Sequence, residues 1–165
     1  SASLKDRAEN LMIVDLMRND LSRVCEPGSV ETPRLFELQS FPTVHHLVSE
    51  IKGLLRPGQS GLDLLQHALP GGSISGAPKR RAMQIIDNLE SRQRSIYCGS
   101  IFYWSCSGDL DSSIAIRTLV GAGGLLHCWG GGGITADSDV EREYQESIAK
   151  VQLLMDTLET HFSTR

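Results

Sequence analysis

Pro70 to Lys79, reading PGGSISGAPK, constrain the fold more than any other stretch of the chain, because a glycine-rich loop runs directly into a helix there. Ser75 or Gly76 is placed to cap that helix, and Pro78 falls in its first turn, where the missing amide proton costs no hydrogen bond. Lys79, Arg80 and Arg81 follow, and Ala82, Ile85, Ile86 and Leu89 mark an apolar helix face as far as about Glu90. Backbone amides at a helix start attract carboxylate or phosphate. The same turn also serves many proteins as plain structure, and the GxxxxGK(S/T) spacing of a nucleotide loop is missing. An anion is indicated without being named.

The remainder reads as helix and strands before the loop, then strands and a helix after it. Leu11, Val14 and Leu21 recur at helical spacing over residues 4–22, with Pro27-Gly28 as the expected stop. Strands are predicted over 34–41 and 44–55 and a short helix over 60–69. Three β-rich segments near 96–106, 112–120 and 124–129, separated by Ser107-Gly108-Asp109 and Gly121-Ala122-Gly123, predict an antiparallel meander. Val140, Tyr144, Ile148, Val151, Met155 and Leu158 predict the buried stripe of a last helix over 138–160. No repeat, low-complexity segment or linker divides the 165 residues, a length that suits one domain.

A net charge of -4 argues against nucleic acid as the main partner, and three basic residues at 79–81 are too few to reverse it. No apolar run approaches the about 18 residues of a membrane span, and the N-terminus has no signal-peptide pattern. A cytoplasmic enzyme or binding domain, away from membranes, is the expectation. Cys25, Cys98, Cys106 and Cys128 show neither paired zinc spacing nor a CxxC motif and read as buried thiols.

The first and last helices carry most of the charged chemistry. Asp6 and Glu9 lie three apart on one, and Glu143 and Glu146 lie three apart on the other, with Lys150 one turn beyond Glu146. Oxygen-only ligands without His or Cys suit magnesium, which takes one or two carboxylates and leaves its other positions to water or substrate. Acidic pairs at this spacing are also common on solvated helix faces, so the residues alone leave both readings open. Strand alternation sends His45 and His46 to opposite faces, which prevents them from chelating one metal together. His46 then reads either as an acid/base group or as an ordinary strand histidine. Arg117 interrupts the apolar run Ile114-Ala115-Ile116 and, if buried, needs an anion, for which a carboxylate is the geometric match. The glycines from Gly130 to Gly133 admit close approach of a ligand to the backbone, or form a mobile hairpin end.

AENLMIVDLMRNDLSRVC from Ala8, FPTVHHLVS from Phe41, PGGSISGAPKRRAM from Pro70, YCGSI from Tyr97, DSSIAIRT from Asp111 and GGGITADSDVEREYQESIAKV from Gly131 resemble, in this order, the chorismate-utilising enzymes. That family includes anthranilate synthase component I, aminodeoxychorismate synthase component I, and the isochorismate and salicylate synthases. PGGS, YCGSI and AENLMIVDLMRND look most like the aminodeoxychorismate branch; anthranilate synthases more often carry Gly-Thr in place of Gly72-Ser73.

The resemblance implies an α+β fold with antiparallel sheets packed together and helices outside. It implies magnesium held by Glu9 and Glu146 against the ring carboxylate of chorismate, with Asp6 and Glu143 in support. Lys150 matches a residue paired with that carboxylate, and Arg117 and Tyr97 match contacts to the enolpyruvyl carboxylate. His46 matches the histidine beside the leaving C4 hydroxyl, Ser73 a loop contact to substrate, and Gly131, Gly132 and Gly133 the backbone that receives a carboxylate.

The implied reaction is amination of chorismate at C4 with ammonia from a glutamine amidotransferase partner, giving 4-amino-4-deoxychorismate on the way to 4-aminobenzoate and folate. Anthranilate synthase instead aminates C2 and expels pyruvate, and a non-catalytic domain that binds a dicarboxylate or a partner is the further alternative. The branch's nucleophilic lysine, in a Pro-Ile-Lys-Gly-Thr motif, and the family's acid/base carboxylate both match positions upstream of Ser1. Residues 1–165 therefore resemble the C-terminal part of a catalytic domain without its N-terminal part, open to dimerisation or segment swapping through exposed apolar surface. Lys79 opens a helix and reads as structural or anion-steering. Phe102 departs from the glycine that relatives usually carry after Gly-Ser-Ile.

Overall fold

The computed structural model describes residues 4–41 and 45–162, the first three of these as backbone only. Helix α1 spans Leu4–Ser22 and is followed by strands β1 (Glu31–Ser40) and β2 (His45–Lys52) and helix α2 (Gly61–Ala68). A single-turn helix α3 (Gly72–Ser75) and helix α4 (Lys79–Leu89) complete the first half. Then come β3 (Ser100–Trp104), β4 (Leu110–Ile114), β5 (Val120–Ala122), β6 (Leu125–His127) and helix α5 (Val140–Phe162). The α+β expectation with antiparallel pairing stands. The chain divides into two compact units, residues 1–93 with 102–112 and residues 94–101 with 113–165.

In the first unit, α1 ends at Ser22, ahead of Pro27-Gly28. Arg56 stops it by donating from Nη2 to the Ser22 carbonyl at 2.9 Å and from Nε to the Cys25 carbonyl at 2.7 Å. The chain then turns so that Cys25 bridges to Leu55. Leu21, Val24 and Cys25 form the buried core, with Met17, Val30, Ile51, Leu55 and Leu64 packed around them. A β carbon on Gly53 would stand 2.6 Å from Cys25 Sγ, so glycine is the residue that lets the second strand's exit lie against this core. β1 and β2 pair antiparallel from Glu31 opposite Lys52 to Ser40 opposite His45, with register shifts on either side of Arg34. Phe36 takes φ 58° within that irregular stretch. Its amide donates to Ser49 Oγ at 3.1 Å, and Ser49 Oγ donates to Asn10 Oδ1 at 2.6 Å, which ties the bulge to α1.

Helix α2 starts on a capping box. Ser60 N and Oγ donate to Asp63 Oδ2 at 2.7 and 2.6 Å, and Asp63 N donates to Ser60 Oγ at 3.4 Å. The Ser60 hydroxyl and then the Ser60 amide hold the Asp63 carboxyl below its ordinary value. The tip of the β3–β4 hairpin belongs to this unit because Leu110 lies against Gly61, where a β carbon would meet Leu110 Cβ at 3.1 Å.

The chain after α4 departs further from expectation. The meander is broken into separate hairpins, β3–β4 and β5–β6. Ile116 N turns back onto the Ile114 carbonyl at 2.9 Å and ends β4 there, and Val120–Ala122 starts a new ladder inside the predicted turn. The stripe on α5 is mostly uncovered. Val151 is buried, whereas Val140 is 86% and Tyr144 58% exposed. The glycine run explains the exception, since a β carbon on Gly130 would overlap the Ser147 carbonyl and stand 3.2 Å from Val151 Cγ1, so one helix turn is covered and its neighbours are not. Of the cysteines, Cys25 and Cys98 are buried, Cys128 is half-buried and Cys106 is exposed, which limits the buried-thiol reading to part of the set. Phe102 is 49% exposed on β3, beside the exposed Ile101, Tyr103 and Trp104. Among the described residues no helix is long and apolar enough to cross a membrane.

Candidate functional site

The start of the helix after the glycine loop differs from the sequence reading. Pro78 itself is the N-cap of α4, and Gly72–Ser75 forms its own helical turn that closes on Gly76 at φ 85°. A left-handed C-cap favours glycine, so Gly76 ends one helix instead of opening the next. Gly71, Gly72 and Ser75 are buried while Ser73 is exposed. Lys79 is not aimed at an anion in solvent. Its Nζ donates to Asp20 Oδ2 at 2.5 Å, and the Asp20 side chain is only 5% exposed.

Also in the first unit, Glu9 is exposed on α1, and the Asp6 side chain lies outside the described residues. The neighbouring Asn10 donates from Nδ2 to the Leu47 carbonyl at 2.9 Å, one residue beyond His46 on β2. Both His45 and His46 are exposed. His45 Nδ1 lies 2.9 Å from Ser40 Oγ, and the His46 ring meets Phe41 edge-on at 5.7 Å between centroids. The structure thus joins the ends of α1 and β2 that carry Glu9 and His46, through Asn10, a residue that sequence reasoning passed over.

The second unit brings more of the candidate residues together. Arg117, Glu146, Ala149, Lys150, Leu153 and Leu154 line a cavity of about 350 Å³. Arg117 is exposed, outside the strand, with φ 49°, so the expectation that it interrupts a strand is corrected: the turn at Ile116 releases it from the ladder. Thr118 Oγ1 holds the far side of that turn through the Ile116 carbonyl at 2.8 Å. Lys150 Nζ donates to Glu146 Oε1 at 2.7 Å and to the Gly131 carbonyl at 3.1 Å.

Tyr97 is the neighbour that makes Gly131 a glycine, because a β carbon there would stand 2.7 Å from the phenol oxygen. The ring is held in place on both sides, stacked on Trp129 at 6.3 Å with a 9° interplanar angle and approached by the Arg94 guanidinium at 5.8 Å. Gly132 lies against Glu143, whose Oε2 would be 3.2 Å from a β carbon. The glycine run is therefore packed against α5 and Tyr97, not the end of a free hairpin. Glu143 Oε1 accepts from Ser138 Oγ at 2.6 Å. Trp129 and Ser138 were missed in the sequence. The signal for Ser138 was its place beside Asp139, whose carboxylate accepts the Arg142 amide at 3.0 Å at the start of α5.

This second-unit arrangement holds two cationic side chains, two carboxylates and a phenol around the Gly131–Gly133 backbone, which is chemistry for binding an organic anion. The metal reading is a matter of donor type. Glu9, Glu143 and Glu146 offer only oxygen, as magnesium prefers, and one or two protein carboxylates suffice for that ion. Among the described residues no three His, Cys, Asp or Glu side chains form a group that could hold a metal ion.

The pattern that defines the chorismate binding enzymes matches residues 1–156. Aminodeoxychorismate synthase component 1 of Klebsiella aerogenes is 58% identical over 96% of the chain and 35% of the relative. The protein of the same name from Salmonella typhimurium is 57% identical over 95% of the chain and again 35% of the relative. The chain thus spans about a third of the length of these relatives. Among solved structures, anthranilate synthase component I from Streptococcus pneumoniae superposes with a TM-score of 0.84 at 42% identity, covering 92% of the chain and 35% of that protein.

Proposed function

The chain belongs to the chorismate binding enzymes, and from that membership we propose that it is the C-terminal part of the catalytic domain of an aminodeoxychorismate synthase component 1. The observation that carries the reading is the cavity on α5, where Arg117, Glu146 and Lys150 meet. Chorismate is a dicarboxylate, and two cationic side chains beside a backbone glycine run suit its two anionic groups.

In this reading Lys150 leaves its contacts with Glu146 and the Gly131 carbonyl to pair with the ring carboxylate, a move of one flexible side chain. Arg117 and Tyr97 take the enolpyruvyl carboxylate, the phenol being already held by Trp129 and Arg94. Gly131, Gly132 and Gly133 let a substrate carboxylate approach the backbone. Ser73 contacts the substrate from the loop, and His46 serves the C4 hydroxyl as it leaves. Glu9 and Glu146 would hold magnesium, with Asp6 and Glu143 in support and Ser138 fixing the Glu143 carboxylate. Bound there, the ion supplies positive charge against the ring carboxylate and the charge that develops in the conjugated ring. Ammonia from a glutamine amidotransferase subunit adds at C4, and the C4 hydroxyl departs as water, giving 4-amino-4-deoxychorismate.

The identity of 57% to an aminodeoxychorismate synthase, against 42% to an anthranilate synthase of known structure, supports C4 over C2 chemistry. Mass spectrometry of the product formed by the full-length protein from chorismate, magnesium and ammonia tests the choice. A product that keeps the enolpyruvyl group and carries an amine is expected; anthranilate with pyruvate would move the protein to the sister reaction. In the same assay Lys150→Met is expected to raise KM for chorismate on the order of tenfold to a hundredfold, as loss of a charged hydrogen bond does. An unchanged KM would remove Lys150 from the substrate site.

A further inference from the structure

Asp20 and Lys79 have no part in the chemistry above, yet they form a charge pair shielded from solvent within the first unit, 5% and 19% exposed at their side chains. Lys79 Nζ reaches Asp20 Oδ2 at 2.5 Å and the Ala68 carbonyl at 3.5 Å. Ala68 ends α2 and Lys79 opens α4, so one ammonium draws together the two ends of the glycine loop and ties both to α1. Inside the loop a second contact points the same way. A β carbon on Gly72 would stand 2.8 Å from Leu16 Cδ1 and 2.9 Å from Leu16 Cβ, so the loop lies directly on α1 one turn from Asp20. The buried Ser75 hydroxyl donates to the Gly71 carbonyl at 3.1 Å and closes the turn around Ser73, which remains exposed. A cavity of about 500 Å³ opens beside the pair, lined by Leu16, Asn19, Leu69 and Pro78 among others, so side chains do not fill the space around Lys79 and the charge contact adds to the packing of Gly72 on Leu16.

We infer that the Lys79–Asp20 pair is a positioning strut, which fixes the exposed Ser73 relative to α1, the helix that carries Glu9. Its consequence is affinity for the organic anion. A loop held at both ends has already lost the freedom that binding would otherwise remove. The inference rests on the proposed reading of Ser73 as a substrate contact, and its test separates the two.

Lys79→Met, Lys79→Arg and Asp20→Asn are made in the full-length protein that carries this chain, and KM and kcat for chorismate are measured beside amide hydrogen exchange over residues 71–76. Lys79→Met is expected to raise KM about tenfold with kcat within about twofold. It is also expected to speed exchange in the loop about tenfold, with the β5–β6 hairpin of the second unit unchanged. Lys79→Arg, which keeps the charge, restores most of both. Asp20→Asn repeats the result if Lys79→Met does not fold. Unchanged exchange in the loop overturns the strut. Faster exchange with unchanged KM overturns its role in affinity, as does a fall in kcat at constant KM. If the unaltered protein does not act on chorismate, the functional reading fails, and loop exchange alone then upholds or overturns the strut.

Discussion

Asp20 with Lys79 in the first unit and Glu146 with Lys150 in the second are both carboxylate–ammonium pairs at hydrogen-bond distance, yet they do different work. The first pair joins groups 59 residues apart, 5% and 19% exposed, next to the core of Leu21, Val24 and Cys25. The second joins neighbours one turn apart on α5, 52% and 33% exposed, on a helix whose one buried residue is Val151. A buried carboxylate without its cation is left uncompensated, whereas an exposed pair on one helix gives up little when broken. Burial thus turns the same contact into architecture in one unit and leaves it available to a ligand in the other.

Urea unfolding followed separately in the two units offers the strongest way to break that contrast. Lys79→Met is expected to destabilise the first unit by on the order of 3 kcal/mol, and Lys150→Met the second by about 0.5 kcal/mol or less. Equal losses would mean that exposure does not separate the pairs. A middle-sized effect sharpens the account of the second unit. Gly131→Ala pushes a methyl group toward the Tyr97 hydroxyl, 2.7 Å from the new β carbon, and is expected to cost about 1–3 kcal/mol through overpacking. Thermal unfolding reads this directly, and a melting temperature equal to wild type would show that the ring shifts freely.

The smallest effect belongs to the α2 cap. Ser60→Ala removes the hydroxyl that both donates to the Asp63 carboxylate and accepts its amide, a loss of about 1 kcal/mol. Because the folded state holds Asp63 below its ordinary value of 3.8, its contribution is present at pH above that value and disappears as pH falls through the depressed one. Carboxyl NMR titration should find the Asp63 midpoint low in the unaltered chain and closer to ordinary in Ser60→Ala. Identical midpoints would remove the hydroxyl as the cause.

Local pattern made much of this legible. The spacing of Val14 and Leu21 announced α1, the Val140 to Leu158 stripe announced α5, and both strands of the first hairpin were visible, because helical and strand periods are written in consecutive residues. The family motifs marked Arg117, Tyr97, Gly131, Glu143, Glu146 and Lys150 in the second unit, and Asp6, Glu9, His46 and Ser73 in the first. What failed was whatever depends on a distant neighbour. The helix start expected at Ser75 or Gly76 moved to Pro78 because Gly72–Ser75 lies on Leu16 and makes a turn of its own. The broken meander is the exception, a local contact of the Ile116 amide with the Ile114 carbonyl two residues away, which strand alternation does not announce.

The amino-acid sequence by itself determined the longer helices and the first hairpin, the family and the set of charged residues at issue, since each is encoded by residue spacing and side-chain chemistry. Tertiary structure alone decided that Lys79 serves Asp20, that Tyr97 presses on Gly131 between Trp129 and Arg94, and that most of the α5 stripe stays exposed. The physical reason is that a residue's burial and its partner are properties of what folds against it, and Asp20 lies 59 residues from Lys79, and Gly131 and Trp129 more than thirty from Tyr97, beyond the reach of any local pattern.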